Sequence, residues 1–224
     1  DVYKRQVVFP CLALGLSPFI MQSTESLIAI CFNSSLLKYG GDIAVGAMTV
    51  LTSIMQFAMM PLQGLTQGAQ PIISFNYGAG KLERVKKAFR LLLAASLCYS
   101  TLLWAIAMFL PQAFIAIFTS DPELTSYTVW AIRIYMAASL LFGIQIACQQ
   151  TFIALGNAVT SVFLALLRKV ILLIPLIFIL PLFLTNKPFG VFLAEPVADT
   201  IAVTVTGLLF LRQYRKLSVG SRNT

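Results

Sequence analysis

The sequence contains no histidine, and only 8 of its 224 residues are acidic. Histidine is the commonest metal ligand and the usual proton shuttle near neutral pH, so its absence removes a large share of catalytic and metal chemistry. Four cysteines (Cys11, Cys31, Cys98 and Cys148) all fall in apolar stretches, and no two share CxxC spacing. They read as small buried hydrophobes, and zinc or haem ligation has nothing to build on. No Walker loop, HExxH, GxSxG or paired-aspartate magnesium motif occurs, which argues against an enzyme. Charge is scarce as well, at 11% of residues where water-soluble domains carry about a quarter. The chain opens Asp1-Val2-Tyr3-Lys4-Arg5 without a signal-peptide pattern.

What is present is hydrophobic. Residues of that class make up 58% of the chain, and they gather into six stretches at about 8–37, 43–75, 88–117, 125–155, 159–184 and 189–211. Each meets the requirement of about 20 mostly apolar residues for a membrane crossing, and several exceed it, which implies tilt or protrusion. The expected architecture is an all-α membrane protein, a six-helix bundle occupying residues 1–224. Pro61, Gly64, Gly68 and Pro71 interrupt the second stretch, and Pro175 and Pro181 lie in the second half of the fifth. Proline removes a backbone donor and kinks a helix, which a membrane tolerates where neighbours or a cavity satisfy the freed groups.

Sixteen Lys and Arg residues give a net charge of +8, but their positions speak for topology, not for nucleic acid. Lys4 and Arg5, the loop bearing Lys81, Arg84, Lys86, Lys87 and Arg90, and the tail bearing Arg212, Arg215, Lys216 and Arg222 fall on one side if six helices alternate. The opposite side has Lys38 and Lys187 with the acids Asp42, Asp121 and Glu123. By the positive-inside rule both ends and the 81–90 loop are cytoplasmic.

Polar groups inside the spans carry the functional content, because charge there is costly and usually serves a purpose. Glu25 lies near the middle of the first span, so its carboxylate must be protonated, paired, or facing water or a cation. Gln22, Ser26 and Asn33 share a stripe with Glu25 at its margin. Gln56, Gln63, Gln67 and Gln70 project within about 60° of one another on the second span, either lining a wet cavity or bonding a neighbouring helix. Glu195 and Asp199, four residues apart, share one face of the sixth. They suit cation binding or proton carriage, or they pair with Arg168 or Lys169 on the fifth span or Arg133 on the fourth. Gln145, Gln149 and Gln150 add polarity on the fourth.

The segment Gln70-Pro71-Ile72-Ile73-Ser74-Phe75-Asn76-Tyr77-Gly78-Ala79-Gly80-Lys81, followed by Arg84-Val85-Lys86-Lys87-Ala88, resembles the loop after the eighth helix of the multidrug and toxic compound extrusion (MATE) transporters. Gly15-Leu16-Ser17-Pro18, Leu155-Gly156-Asn157 and Pro196-Val197-Ala198-Asp199 add support, and together they cover the chain. The resemblance implies that these spans are helices seven to twelve of a two-lobe, 6+6 transporter whose N-terminal lobe is a missing partner. It implies a bacterial cytoplasmic membrane and export of organic cations or amphipathic drugs in exchange for Na⁺ or H⁺, with no cofactor. By position Glu25 falls where several members hold a seventh-helix acid tied to cation coupling. Sodium-dependent members often carry an acid three residues before the glutamine matching Gln145, where this chain has Phe142.

On this reading Glu25 and Asp199 couple the ion, and no metal site is expected. Gln22, Asn33, Gln63, Gln67, Gln145, Arg168 and Glu195 line the substrate path, and Asn76, Gly78, Gly80 and Arg84 form the cytoplasmic loop motif. Two other readings stay open. A lipid-linked oligosaccharide flippase would need a cationic cavity centred on Arg168, and a self-contained six-helix channel or carrier would need no second lobe.

Overall fold

The computed structural model describes residues 5–220, with side chains described for 23–157 and 160–214. Among the described residues every regular element is helical: α1 (Arg5–Gly78), α2 (Leu82–Phe109), α3 (Pro111–Ile115), α4 (Pro122–Tyr135), α5 (Phe142–Ala154), α6 (Ala158–Leu166), α7 (Ile174–Phe183) and α8 (Lys187–Gly220). A 3₁₀ turn at Ser139–Leu141 precedes α5, and a wide π-helical turn at Leu167–Leu173 joins α6 to α7.

A straight helix of 74 residues would measure about 110 Å, several times the thickness of a bilayer core. Gly41 prevents that: its φ of 68° and ψ of −166° are non-helical and divide α1 into two arms. Ser23–Gly78, Leu82–Phe109, Thr160–Phe183 and Lys187–Tyr214 are each apolar and long enough to cross a membrane. A further span is broken, Pro122–Tyr135 and Ser139–Ala154 meeting at 47°. With α1 divided at Gly41, the architecture is a six-helix membrane lobe.

Local chemistry explains the boundaries. At the end of α1 the Lys81 amide donates to the Asn76 carbonyl (2.9 Å), and Gly80 sits at φ 70°. This is the left-handed glycine cap that closes a helix C-terminus. The same arrangement recurs where the Asn157 amide donates to the Phe152 carbonyl (2.9 Å) beside Gly156 at φ 79°. Asp121 starts α4 by accepting the Glu123 amide at 2.9 Å, ahead of Pro122 at the first helical position. Pro111 divides the third apolar stretch into α2 and the short α3. By contrast α1 runs unbroken through Pro61, Gly64, Gly68 and Pro71; a proline forfeits one donor, and the surrounding ladder carries the helix past it.

The interior holds two apolar cores. One gathers Phe32, Leu36, Leu51, Ile54, Ile132, Met136, Leu173, Phe192 and Ala198. The other gathers Ile73, Val85, Phe89, Cys148, Phe152, Leu164 and Phe210, with the Phe89 and Phe210 rings 4.5 Å apart. Between them α2 and α5 approach closely at Gly143, where an added Cβ would lie 2.6 Å from the Ser96 carbonyl oxygen. Small residues at such contacts let helix backbones meet in a membrane, where dispersion rather than water exclusion drives packing. Gly143→Ala is therefore expected to cost about 1–3 kcal/mol by overpacking, read as a lower melting midpoint of the complete membrane protein in detergent. An unchanged midpoint would show that α2 and α5 separate without cost.

Candidate functional site

Pro175 is the local cause of the site's shape. Without an amide hydrogen it cannot bond the carbonyl four residues back, at Ile171. The backbone just upstream relaxes into the wide turn Leu167–Leu173, a distortion that recurs at functional positions. This turn carries the adjacent cations Arg168 and Lys169, and each reaches a different neighbouring helix.

Arg168 turns toward α8. Its Nε donates to Asp199 Oδ1, and its Nη2 lies 3.3 Å from Glu195 Oε1. Both acids are buried, Glu195 5% and Asp199 1% exposed. The Phe142 ring covers the guanidinium, its centroid 5.5 Å from Cζ. Along the chain, Arg168 falls between Leu164 of one apolar core and Leu173 of the other. The cluster therefore occupies the seam between the cores. It holds one fixed positive charge and two carboxylates, so with both ionised it carries one surplus negative charge. Asp199 Oδ2 is buried without a hydrogen-bond partner among the described residues.

Lys169 turns toward α1 and pairs with Glu25 at 2.5 Å. The Glu25 side chain is 51% exposed and that of Lys169 24%. Of the three states open to a carboxylate in mid-span, Glu25 is thus paired, on an open face of the lobe. The pairing weighed as an alternative for the two α8 acids is the one observed, and the partner is Arg168, not Arg133. Of the two acids, Asp199 makes the closer contact.

The amide groups separate into two populations. Gln145 is buried, and among the described residues neither its Nε2 nor its Oε1 has a partner. It stands one helical turn from Phe142, on the same face of α5. Ser96, Tyr127, Ser139 and Thr206 also bury hydroxyls without a partner among the described residues. Gln70 binds a neighbour: its Oε1 accepts from Gln150 Nε2 at 2.7 Å. Asn33, Gln56, Gln63 and Gln67 are exposed on the lobe surface. The Gln22 side chain lies outside the described residues, as do those of Lys4, Arg5, Arg215, Lys216 and Arg222. In the loop motif Asn76 Nδ2 donates to the Ile72 carbonyl (2.8 Å), and Gly78, Gly80 and Arg84 are exposed. These residues shape the turn; they do not meet the charged cluster.

Two features of the site escaped the sequence reading. Phe142 over Arg168 carries no sequence signal beyond an aromatic on an apolar helix. The wide turn does have one: a pair of adjacent cations six and seven residues before a proline, deep in a span.

Residues 18–179 match the MatE family model. Multidrug export protein MepA of Staphylococcus aureus is 24% identical over 209 residues, covering 92% of this chain and 46% of the relative. The FAD transporter of Shewanella oneidensis is 28% identical over 223 residues, covering 93% of this chain and 49% of the relative. The chain thus spans about half the length of the curated relatives it matches. Among solved structures, the inward-facing conformation of a multidrug resistance MATE family transporter of the MOP superfamily superposes with a TM-score of 0.86 at 17% identity, covering 96% of this chain and 50% of that one. The MATE multidrug transporter DinF-BH gives a TM-score of 0.75 at 36% identity, covering 88% of this chain and 44% of that one.

Proposed function

The chain belongs to the MatE family, and from that premise we propose that it forms the C-terminal lobe of a cation-driven exporter of organic cations and amphipathic drugs. The complete transporter pairs it with an N-terminal six-helix lobe in a bacterial cytoplasmic membrane, both ends of this lobe lying in the cytoplasm.

The observation that carries this reading is the stoichiometry at Arg168, one guanidinium against two buried acids. A surplus negative charge in a low-dielectric interior is costly, and a monovalent cation, H⁺ or Na⁺, relieves the cost when it binds. A cation that binds the inward-open and outward-open forms with different affinity shifts their populations by that difference. Such a shift is the energetic core of exchange. The exposed amides Gln56, Gln63 and Gln67 support a wet face on α1, since amides turned to lipid would go unsatisfied. A lipid-linked oligosaccharide flippase would need Arg168 free for a pyrophosphate. Its commitment to Glu195 and Asp199 favours the exporter.

Efflux of a fluorescent organic cation from cells carrying the complete transporter, under an imposed proton or sodium gradient, tests the proposal. One gradient should accelerate efflux; indifference to both would refute cation exchange. Glu25→Gln adds a second expectation. The pair lies on the open face of the lobe, with the Glu25 side chain 51% exposed, and the long Lys169 stem can turn its charged head outward once released, so the variant should fold. Its efflux should nevertheless fall sharply if Glu25 takes part in coupling, and wild-type efflux would remove Glu25 from the mechanism.

A further inference from the structure

A groove of about 500 Å³ runs between α4 and α8, lined by Arg133, Phe189, Leu193, Val197, Thr200 and Ile201 among others. Arg133 and Thr200 are polar; the other four are apolar. Arg133 is exposed, and among the described residues it makes no ion pair or hydrogen bond.

Depth makes this unusual. Trp130 packs edge-on against Phe192, ring centroids 5.5 Å apart, which sets α4 and α8 in register. Arg133 is one turn further along, level with about Pro196, and so about 13 Å below the start of α8. The groove from Phe189 to Ile201 is about 18 Å long, close to the thickness of one leaflet's hydrocarbon. Its lining residues on α8 also point roughly 140° away from Glu195 and Asp199 at 100° per residue. The groove thus opens on the side of α8 opposite the charged cluster.

An unpaired guanidinium held at that depth in hydrocarbon is costly. Its stem points toward the α4 N-terminus, as helix side chains do, so the charged head rises toward the near interface. We propose that the α4–α8 groove binds an anionic phospholipid, its phosphate on the Arg133 guanidinium and an acyl chain running inward along Leu193, Val197 and Ile201. Guanidinium and phosphate match in charge and in bidentate geometry, and the apolar wall suits an acyl chain. The inference does not depend on what the transporter exports.

Native mass spectrometry of the complete transporter in detergent, with phosphatidylglycerol or a diacylglycerol of the same chains, tests it. The wild type should retain phosphatidylglycerol over diacylglycerol. Arg133→Gln should lose about fivefold of that retention, the worth of one basic side chain near an anionic headgroup, and Arg133→Lys should keep most of it. A photoreactive residue at Leu193 in the otherwise unaltered protein should label lipid. Equal retention by Arg133→Gln would overturn the proposal. So would displacement of the lipid by inorganic phosphate, which would mark a free-anion site, or cross-linking of position 193 to another part of the transporter, which would place protein there.

Discussion

Arg168→Met in the complete transporter is expected to abolish most of the folded protein. Two carboxylates, 5% and 1% exposed, would lose the positive partner that both share. Removing one member of a buried ionic set while leaving the others typically costs about 3–5 kcal/mol, a large part of the margin by which a protein stays folded. The loss should appear as aggregated material in size-exclusion chromatography of detergent extracts. The companion variant Arg168→Met/Glu195→Met/Asp199→Leu removes all three charges and should recover a monodisperse peak, since exchanging a whole buried ionic set for well-packed apolar residues of similar volume is often close to neutral in stability. That variant should fold without exporting. If Arg168→Met alone remains monodisperse with an unchanged melting midpoint, the guanidinium is not what holds the α8 acids in place.

Asp199→Asn has a different expected signature. It leaves Arg168 balanced by Glu195 alone, at 3.3 Å, so the cluster changes from a surplus negative charge to neutrality. Folding should survive, because no unpaired charge is created. Gradient-driven efflux should drop to the level of cells without the transporter, because the site no longer gains from a cation. Glu195→Gln makes the same change in charge at the longer contact and should act in the same direction. Should Asp199→Asn export at the wild-type rate under the same gradient, the surplus charge has no part in coupling, whatever the fold of the lobe. Reading efflux and chromatographic profile on the same preparation separates this result from a folding defect.

How much of this was legible in the sequence differs from residue to residue. Apolar stretches punctuated by Gly41, Gly80 and Gly156 announce a helical membrane lobe, because span length and left-handed glycine turns are local properties. Glu195 and Asp199 announce a shared face for the same reason. Which cation they meet is not local: Arg168, Lys169 and Arg133 were all within reach on paper, and the choice depends on how the helix twists upstream of Pro175. The glutamines of α1 show the same limit. Their common stripe is visible from spacing alone, yet only packing decides that Gln70 reaches Gln150 while Gln63 and Gln67 stay on the open surface. Arg133 stood in the sequence as one more candidate partner for an acid. Its separation from the cluster becomes apparent only when α4 and α8 are set side by side.

The turn at residues 79–81 and the one at residues 155–157 have a mechanical consequence. Each link is three residues long and is closed by a hydrogen bond across a left-handed glycine, and three residues reach about 10 Å at full stretch. Neither tether has slack. Helices joined this way can pivot against each other but cannot slide apart, so each pair must travel as a coupled lever in any rearrangement of the lobe.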